Sequence, residues 1–276
     1  MNLKKISTIA ICGVMLAAFA AAAVCGAEEK KVFKVGMECA YAPYNWSQPK
    51  PDGGAVKISG TNEYAYGYDI IMAKKLADAM GAELEVYKIE WDGLPQAVVS
   101  GKIDAAIAGM SITSERKNTV DFTLPYYYAN VVALVRKGTP QAEAKSLEDL
   151  KGAVATSQLN TTWYNQIDQV PEVNKLPAID NVPGMIVALK SGKCNLIVTD
   201  IPTAKAAAYA NPELTVVDFP EGKGFQTSRE ELEIGIAVKK GNTELVDALN
   251  KVLSQMTPED FNKIMDEAIQ KQPLVQ

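Results

Sequence analysis

Histidine is absent from all 276 residues. With it go the commonest general base, the commonest zinc ligand and any Ser-His or Cys-His nucleophile pair, so hydrolytic chemistry starts without its usual residues. Basic clusters are missing too. The 28 lysines and arginines stand against 33 acidic residues, for a net charge of −5, and nothing in that balance points to a nucleic-acid partner. Cysteine is scarce: of four, Cys12 and Cys25 fall in the first 27 residues, leaving Cys39 and Cys194. One pair in so long a chain is no disulfide framework. Both lie among apolar residues in different halves, which reads as two buried thiols rather than a bridge.

Long apolar runs are equally rare. The single one, Ile9 to Val24, follows Lys4 and Lys5 and precedes the small residues Cys25, Gly26 and Ala27, then the polar Glu28-Glu29-Lys30-Lys31. That order predicts a secretory signal peptide over residues 1–27 and an extracytoplasmic mature chain. Lipid attachment at Cys25 is the second reading, ranked lower because Val24 before it is bulky. No other run approaches membrane-spanning length.

What is present is an alternation of short apolar runs with helical patterns, the signature of βαβ units and an α/β fold. Strands are expected at 32–36, 84–89, 103–108, 127–136, 153–157, 196–199 and 234–238. Helices are expected at 69–80, 94–99, 162–168, 185–190, 201–210, 243–256 and 258–271, the last opened by Thr257-Pro258-Glu259-Asp260. The Pro- and Gly-rich segment 48–63 reads as a surface loop.

An internal echo organises these elements. The segment from Val99-Ser100-Gly101-Lys102 into Ile103–Gly109 is matched, 91 positions on, by Lys190-Ser191-Gly192-Lys193 into Cys194–Asp200. In both, a helix ends at Ser-Gly-Lys and an apolar strand follows, so the chain reads as two related lobes. Ligands of open α/β sheets bind beyond the carboxyl ends of strands. Gly109 and Asp200 occupy equivalent ends, and facing lobes would bring both to one cleft.

The residues there suit a zwitterion. Gly109 lets backbone N–H groups approach a ligand, and the hydroxyls of Ser111 and its neighbours add hydrogen bonds. Arg116 is one of only three arginines, and its planar fork fits a carboxylate; the alternative is a surface arginine. Asp200 reads either as the N-cap of the following helix or as a carboxylate facing an ammonium, and its pairing with Gly109 and Arg116 favours the second. Tyr41, Tyr44, Tyr68, Trp46 and Trp91 are candidate walls, each with core packing as its alternative.

Several stretches, in order, resemble the polar amino-acid-binding proteins of ABC importers: Val35-Gly36-Met37-Glu38-Cys39-Ala40-Tyr41-Ala42-Pro43-Tyr44, Tyr66-Gly67-Tyr68-Asp69, Ala108-Gly109-Met110-Ser111-Ile112-Thr113-Ser114-Glu115-Arg116, Val198-Thr199-Asp200 and Gly235-Ile236-Ala237-Val238-Lys239-Lys240-Gly241. The resemblance implies a two-lobed periplasmic-binding-protein-like fold of type II, its lobes joined by crossings near 126–131 and 231–236. Lobe 1 would comprise 28–127 and 232–276, and lobe 2 would comprise 128–231. It implies that Arg116 binds the ligand α-carboxylate and Asp200 the α-ammonium, with Gly109, Ser111 and Thr161 at the head group. Tyr41 and Tyr68 would sandwich the side chain, Glu38 would meet its distal end, and Gln158 and Thr162 would contact it. No cofactor or metal is implied, the partner is an ABC transporter membrane permease, and a monomer is expected. The chain departs from the family at Asn160-Thr161, where Gly-Thr is frequent.

Binding without chemistry is the expectation, because the site offers no evident acid/base pair. The alternatives are a secreted dehydratase of the same fold acting on aromatic amino-acid precursors, with Glu38 as its acid, and a secreted ligand sensor. The proposed ligand is a polar or basic L-amino acid.

Overall fold

The computed structural model describes residues 31–273; the expected signal segment and Cys25 lie outside the described residues. Two α/β lobes each carry their own sheet. The first sheet has the strand order Glu83–Lys88, Val32–Met37, Ala105–Ser111, Glu233–Lys239, Val120–Phe122, with Tyr127–Tyr128 also paired to Glu233–Lys239. The first three run parallel, with Val35 beside both Val86 and Ala105, and the helices Tyr68–Ala79 and Leu94–Ser100 fall between them in the chain. The second sheet runs Asn174–Lys175, Val154–Thr156, Leu196–Asp200, Val131–Arg136, Leu214–Val217. Among the described residues no helix is long and apolar enough to cross a membrane.

The local rules explain most boundaries. Leu94–Ser100 ends on Gly101 at φ 76°, and Gly192 follows Val182–Lys190 at φ 80°. Each repeated Ser-Gly-Lys therefore supplies the left-handed residue that ends a helix, where glycine carries no steric penalty. The strands after them, Ala105–Ser111 and Leu196–Asp200, are buried at every position. That matches their nearly uninterrupted apolar sequence. The first long helix packs Ile70, Met72, Ala73, Leu76 and Ala77 inward; Ile71 and Met80 are half-buried.

Two expectations change. The apolar run 127–136 is not one strand: Tyr127–Tyr128 pairs in the first sheet and Val131–Arg136 in the second. Its interruption at Ala129-Asn130 is where the chain passes between lobes; Ala129 N–H donates to Leu232 O there. Segment 48–63 is also more ordered than a loop. Asn45–Gln48 and Val56–Lys57 pair on either side of Tyr64–Tyr66, and Ala40–Tyr41 completes a small four-stranded sheet. Cys39 and Cys194 are free and buried.

Candidate functional site

Gly109 lies within the Ala105–Ser111 strand at φ 63°, and a Cβ there would sit 2.6 Å from the Tyr41 ring. Glycine is required twice over, by conformation and by space. Its N–H donates to the Tyr126 hydroxyl (3.0 Å), which donates to Asp69 (2.6 Å). Asn45 donates to the other Asp69 oxygen at 2.7 Å. Burial pushes the Asp69 carboxyl up to about 7, against the pull of these two donors. This chain of bonds holds the strand end from behind.

Arg116 follows at the first residue of a short 3₁₀ turn, Arg116–Asn118. Its guanidinium donates to Ser111 O (3.0 Å) and to Asn160 O of the second lobe (3.1 Å), and lies 5.2 Å from the Trp91 ring centre. Two of its five N–H donors are used this way, which leaves capacity for a carboxylate. Burial lowers its pKa to about 10, still high enough to keep it charged at neutral pH.

Asp200 ends the Leu196–Asp200 strand and is fully buried. It is the N-cap of helix Ile201–Ala210, accepting from Thr203 N–H at 3.0 Å and Thr203 Oγ1 at 2.9 Å. Across the lobes it accepts from the Tyr41 hydroxyl at 2.6 Å. Burial raises the Asp200 carboxyl despite these donors. The cap is thus present, and the same carboxylate also faces the other lobe. Tyr41 stacks on Tyr44 with ring centres 4.8 Å apart.

Glu38, 3% exposed, accepts from the Gln158 amide with both oxygens at 3.1 Å. Burial pushes its carboxyl up to about 7, with Glu90 and Asp92 adding to the rise and Gln158 opposing it. Thr161 Oγ1 donates to Gln158 O at 2.7 Å. Thr162 Oγ1 is buried and has no hydrogen-bond partner among the described residues.

These groups surround a cavity of about 10 Å³ lined by Tyr41, Trp91, Gly109, Ser111, Arg116, Gln158, Thr161, Thr162 and Trp163. That volume holds about one water, so an amino acid enters only when the lobes part. Seven of the ten sequence-named residues line it. Glu38 and Asp200 reach it through Gln158 and Tyr41 respectively. Tyr68 does not come to the cavity: its ring stacks on Tyr126 at 5.6 Å and its hydroxyl donates to Tyr126 O, inside the first lobe. Two indoles take the walls instead. Trp91 was legible only as one aromatic among several, and Trp163 only through its position beside Thr161-Thr162.

The matched family model settles what this arrangement is related to: "Bacterial extracellular solute-binding proteins, family 3" spans residues 33–271. The chain belongs to this family. The ABC transporter arginine-binding protein 1 of Escherichia coli K12 is 30% identical over 257 residues, covering 92% of this chain and 97% of that protein. A Streptococcus pneumoniae amino acid ABC transporter substrate-binding protein, solved bound to L-arginine, is 25% identical at TM-score 0.74 and covers 86% of this chain and 93% of that one. The ancestral amino-acid-binding protein AncCDT-1, a precursor of cyclohexadienyl dehydratase, is 31% identical at TM-score 0.69, over 86% of this chain and 95% of that one. Family 3 membership and the two-lobed architecture are thereby shared with this chain.

Proposed function

We propose that this chain is the extracytoplasmic substrate-binding component of an ABC importer and takes a free L-amino acid with a cationic side chain. The observation that carries the reading is the charge and polarity of the cleft. One arginine, Arg116, is met by two carbonyl acceptors, whereas the two carboxyl groups, Asp200 and Glu38, are met by donors from Tyr41 and Gln158. The complementary ligand presents an acceptor anion to Arg116 and donors to both carboxyls, which is an α-carboxylate, an α-ammonium and a distal cation. Trp91 and Tyr41 offer faces for that cation. The unpartnered Thr162 hydroxyl, about 1–3 kcal/mol unfavourable while buried alone, gains a partner from the same ligand.

Binding is assigned to hinge closure. The first lobe moves as one body against the second about the crossing at Ala129-Asn130, the ligand docks on the Arg116 lobe, and Asp200 swings in. The partner is a membrane permease that reads the closed shape, and the protein acts as a monomer, exported and released after residue 27 or anchored through Cys25.

A dehydratase reading has one observation in its favour, the buried Glu38 carboxyl at about 7, a poise suited to a general acid. A thermal-shift screen of protein refolded to remove carried-over ligand decides among these. Arginine or lysine at a thousand times its Kd stabilises the fold by about 4 kcal/mol, while citrulline, which is shaped like arginine but neutral, gives a much smaller shift. A larger shift with citrulline or glutamine overturns the cationic assignment. No shift with any amino acid overturns the whole reading, and a ligand recovered chemically altered establishes the enzyme.

A further inference from the structure

Outside the cavity, between Trp91, Asp92 and Pro95 of the first lobe and Asn160, Tyr164 and Asn165 of the second, lies a groove of about 590 Å³. The cavity and this groove share Trp91, Arg116, Thr161 and Thr162. Asn160 lines the groove but not the cavity, and three bonds from the first lobe converge on it. Its carbonyl accepts from Arg116 Nη2 at 3.1 Å and from the Trp91 indole N–H at 3.3 Å. Its side-chain amide donates to Asp92 Oδ1 at 2.8 Å. Its backbone sits at φ 54°, a conformation that asparagine tolerates better than most side chains. Glycine would hold that backbone and so keep the carbonyl in place, but only a side chain reaches Asp92. The departure from Gly-Thr noted in the sequence therefore adds a contact between lobes.

We propose that Asn160 is a latch at the cleft mouth: its side chain, clasped by Asp92, is a positioning group that holds the lobes shut over the ligand without touching it. The proposal rests on the reading of the cleft as an amino-acid site, and it places residence time under the control of a residue outside the ligand's contacts. Both partners are exposed, so the bond is a rim contact of modest strength. Its effect belongs in the rate at which the closed form opens, since variants of one interface differ mostly in dissociation.

The test is a double-mutant cycle of Asn160→Gly, Asp92→Ala and the pair, which isolates their coupling. Glycine retains the left-handed backbone and hence the Arg116 and Trp91 bonds. With L-arginine as the probe, each single variant releases it about threefold to tenfold faster than wild type, the range expected for one hydrogen bond to a charged group at a wet rim. The double variant is no faster than the faster single, and association rates stay within about twofold. Unchanged release in Asn160→Gly, or fully additive effects in the pair, overturns the latch. A second readout needs no ligand. Spin labels at the exposed positions of Lys102 and Lys145 report the distance between lobes, and Cys39 and Cys194 are buried. Each single variant loses short-distance population, in buffer or with arginine, and the pair loses no more. Equal distributions in wild type and variants under both conditions overturn the latch even if arginine binds. If arginine leaves the wild type unchanged, the amino-acid reading fails for that ligand while the buffer distances still decide the latch. A wild type with no short-distance population in either condition overturns both.

Discussion

At the scale of the residue, Glu38 ties charge to pH. Desolvation leads the rise that takes its carboxyl from 4.5 to about 7, so near neutrality it is part proton-bound. A cationic ligand selects the carboxylate. Arginine affinity therefore increases as pH rises from 6 to 8, by about tenfold, because the ionised fraction increases about that much across a pKa of 7. Calorimetric titrations at the two pH values measure this. Glu38→Gln should bind arginine more weakly and nearly equally at both, and a wild-type affinity flat from pH 6 to 8 counts against Glu38 as the cation's partner. The residues most legible in the sequence were Gly109 and Asp200, which sit at equivalent ends of the two echoed segments, and Arg116, one of only three arginines. Aromatics were less legible. Tyr41 and Tyr68 carry the same ring and hydroxyl, and only packing decides that one hydroxyl reaches Asp200 while the other turns to Tyr126 O inside its own lobe.

At the scale of the element, helix Ile201–Ala210 starts on the same carboxylate that faces the cleft. The two roles separate by substitution. Asp200→Asn keeps an oxygen to accept from Thr203 N–H and holds the melting temperature, yet loses the negative charge. Asp200→Ala loses both, and the missing cap alone costs about 1 kcal/mol of stability. Either variant weakens amino-acid binding by roughly 2–5 kcal/mol, since a buried ammonium is left unpaired. Thermal melts with titrations distinguish them, and normal binding by Asp200→Asn removes the ammonium assignment. Regular elements were readable wherever hydrophobic periodicity and glycine stops agreed, as at Leu94–Ser100 with Gly101. Segment 48–63 was not, because its short strands show no alternation and its partner, Tyr64–Tyr66, lies beyond the Pro- and Gly-rich stretch. The run 127–136 carries no local mark at Ala129-Asn130; the hand-over from one sheet to the other is set by pairing with distant strands.

At the scale of the molecule, the echoed Ser-Gly-Lys turns showed the two lobes and the strand ends showed the cleft between them. The pairing order of the sheets carries more. The Glu233–Lys239 strand inserts between Ala105–Ser111 and Val120–Phe122, whereas the second sheet draws only on residues from Val131 to Val217. Each lobe therefore has its own timetable. The second can assemble from an uninterrupted stretch, while the first must close a loop of more than a hundred residues before its central strand arrives, an entropic delay that grows with the logarithm of loop length. In pulse-labelled hydrogen exchange during refolding, amides of Val131–Arg136 and Leu196–Asp200 gain protection before those of Ala105–Ser111 and Glu233–Lys239; simultaneous protection contradicts this order. A nascent chain leaving the ribosome meets the same delay. Its first strand, Val32–Met37, emerges early but cannot enter a finished sheet until almost the last residues are made, so on the export route proposed above the leading half stays threadable.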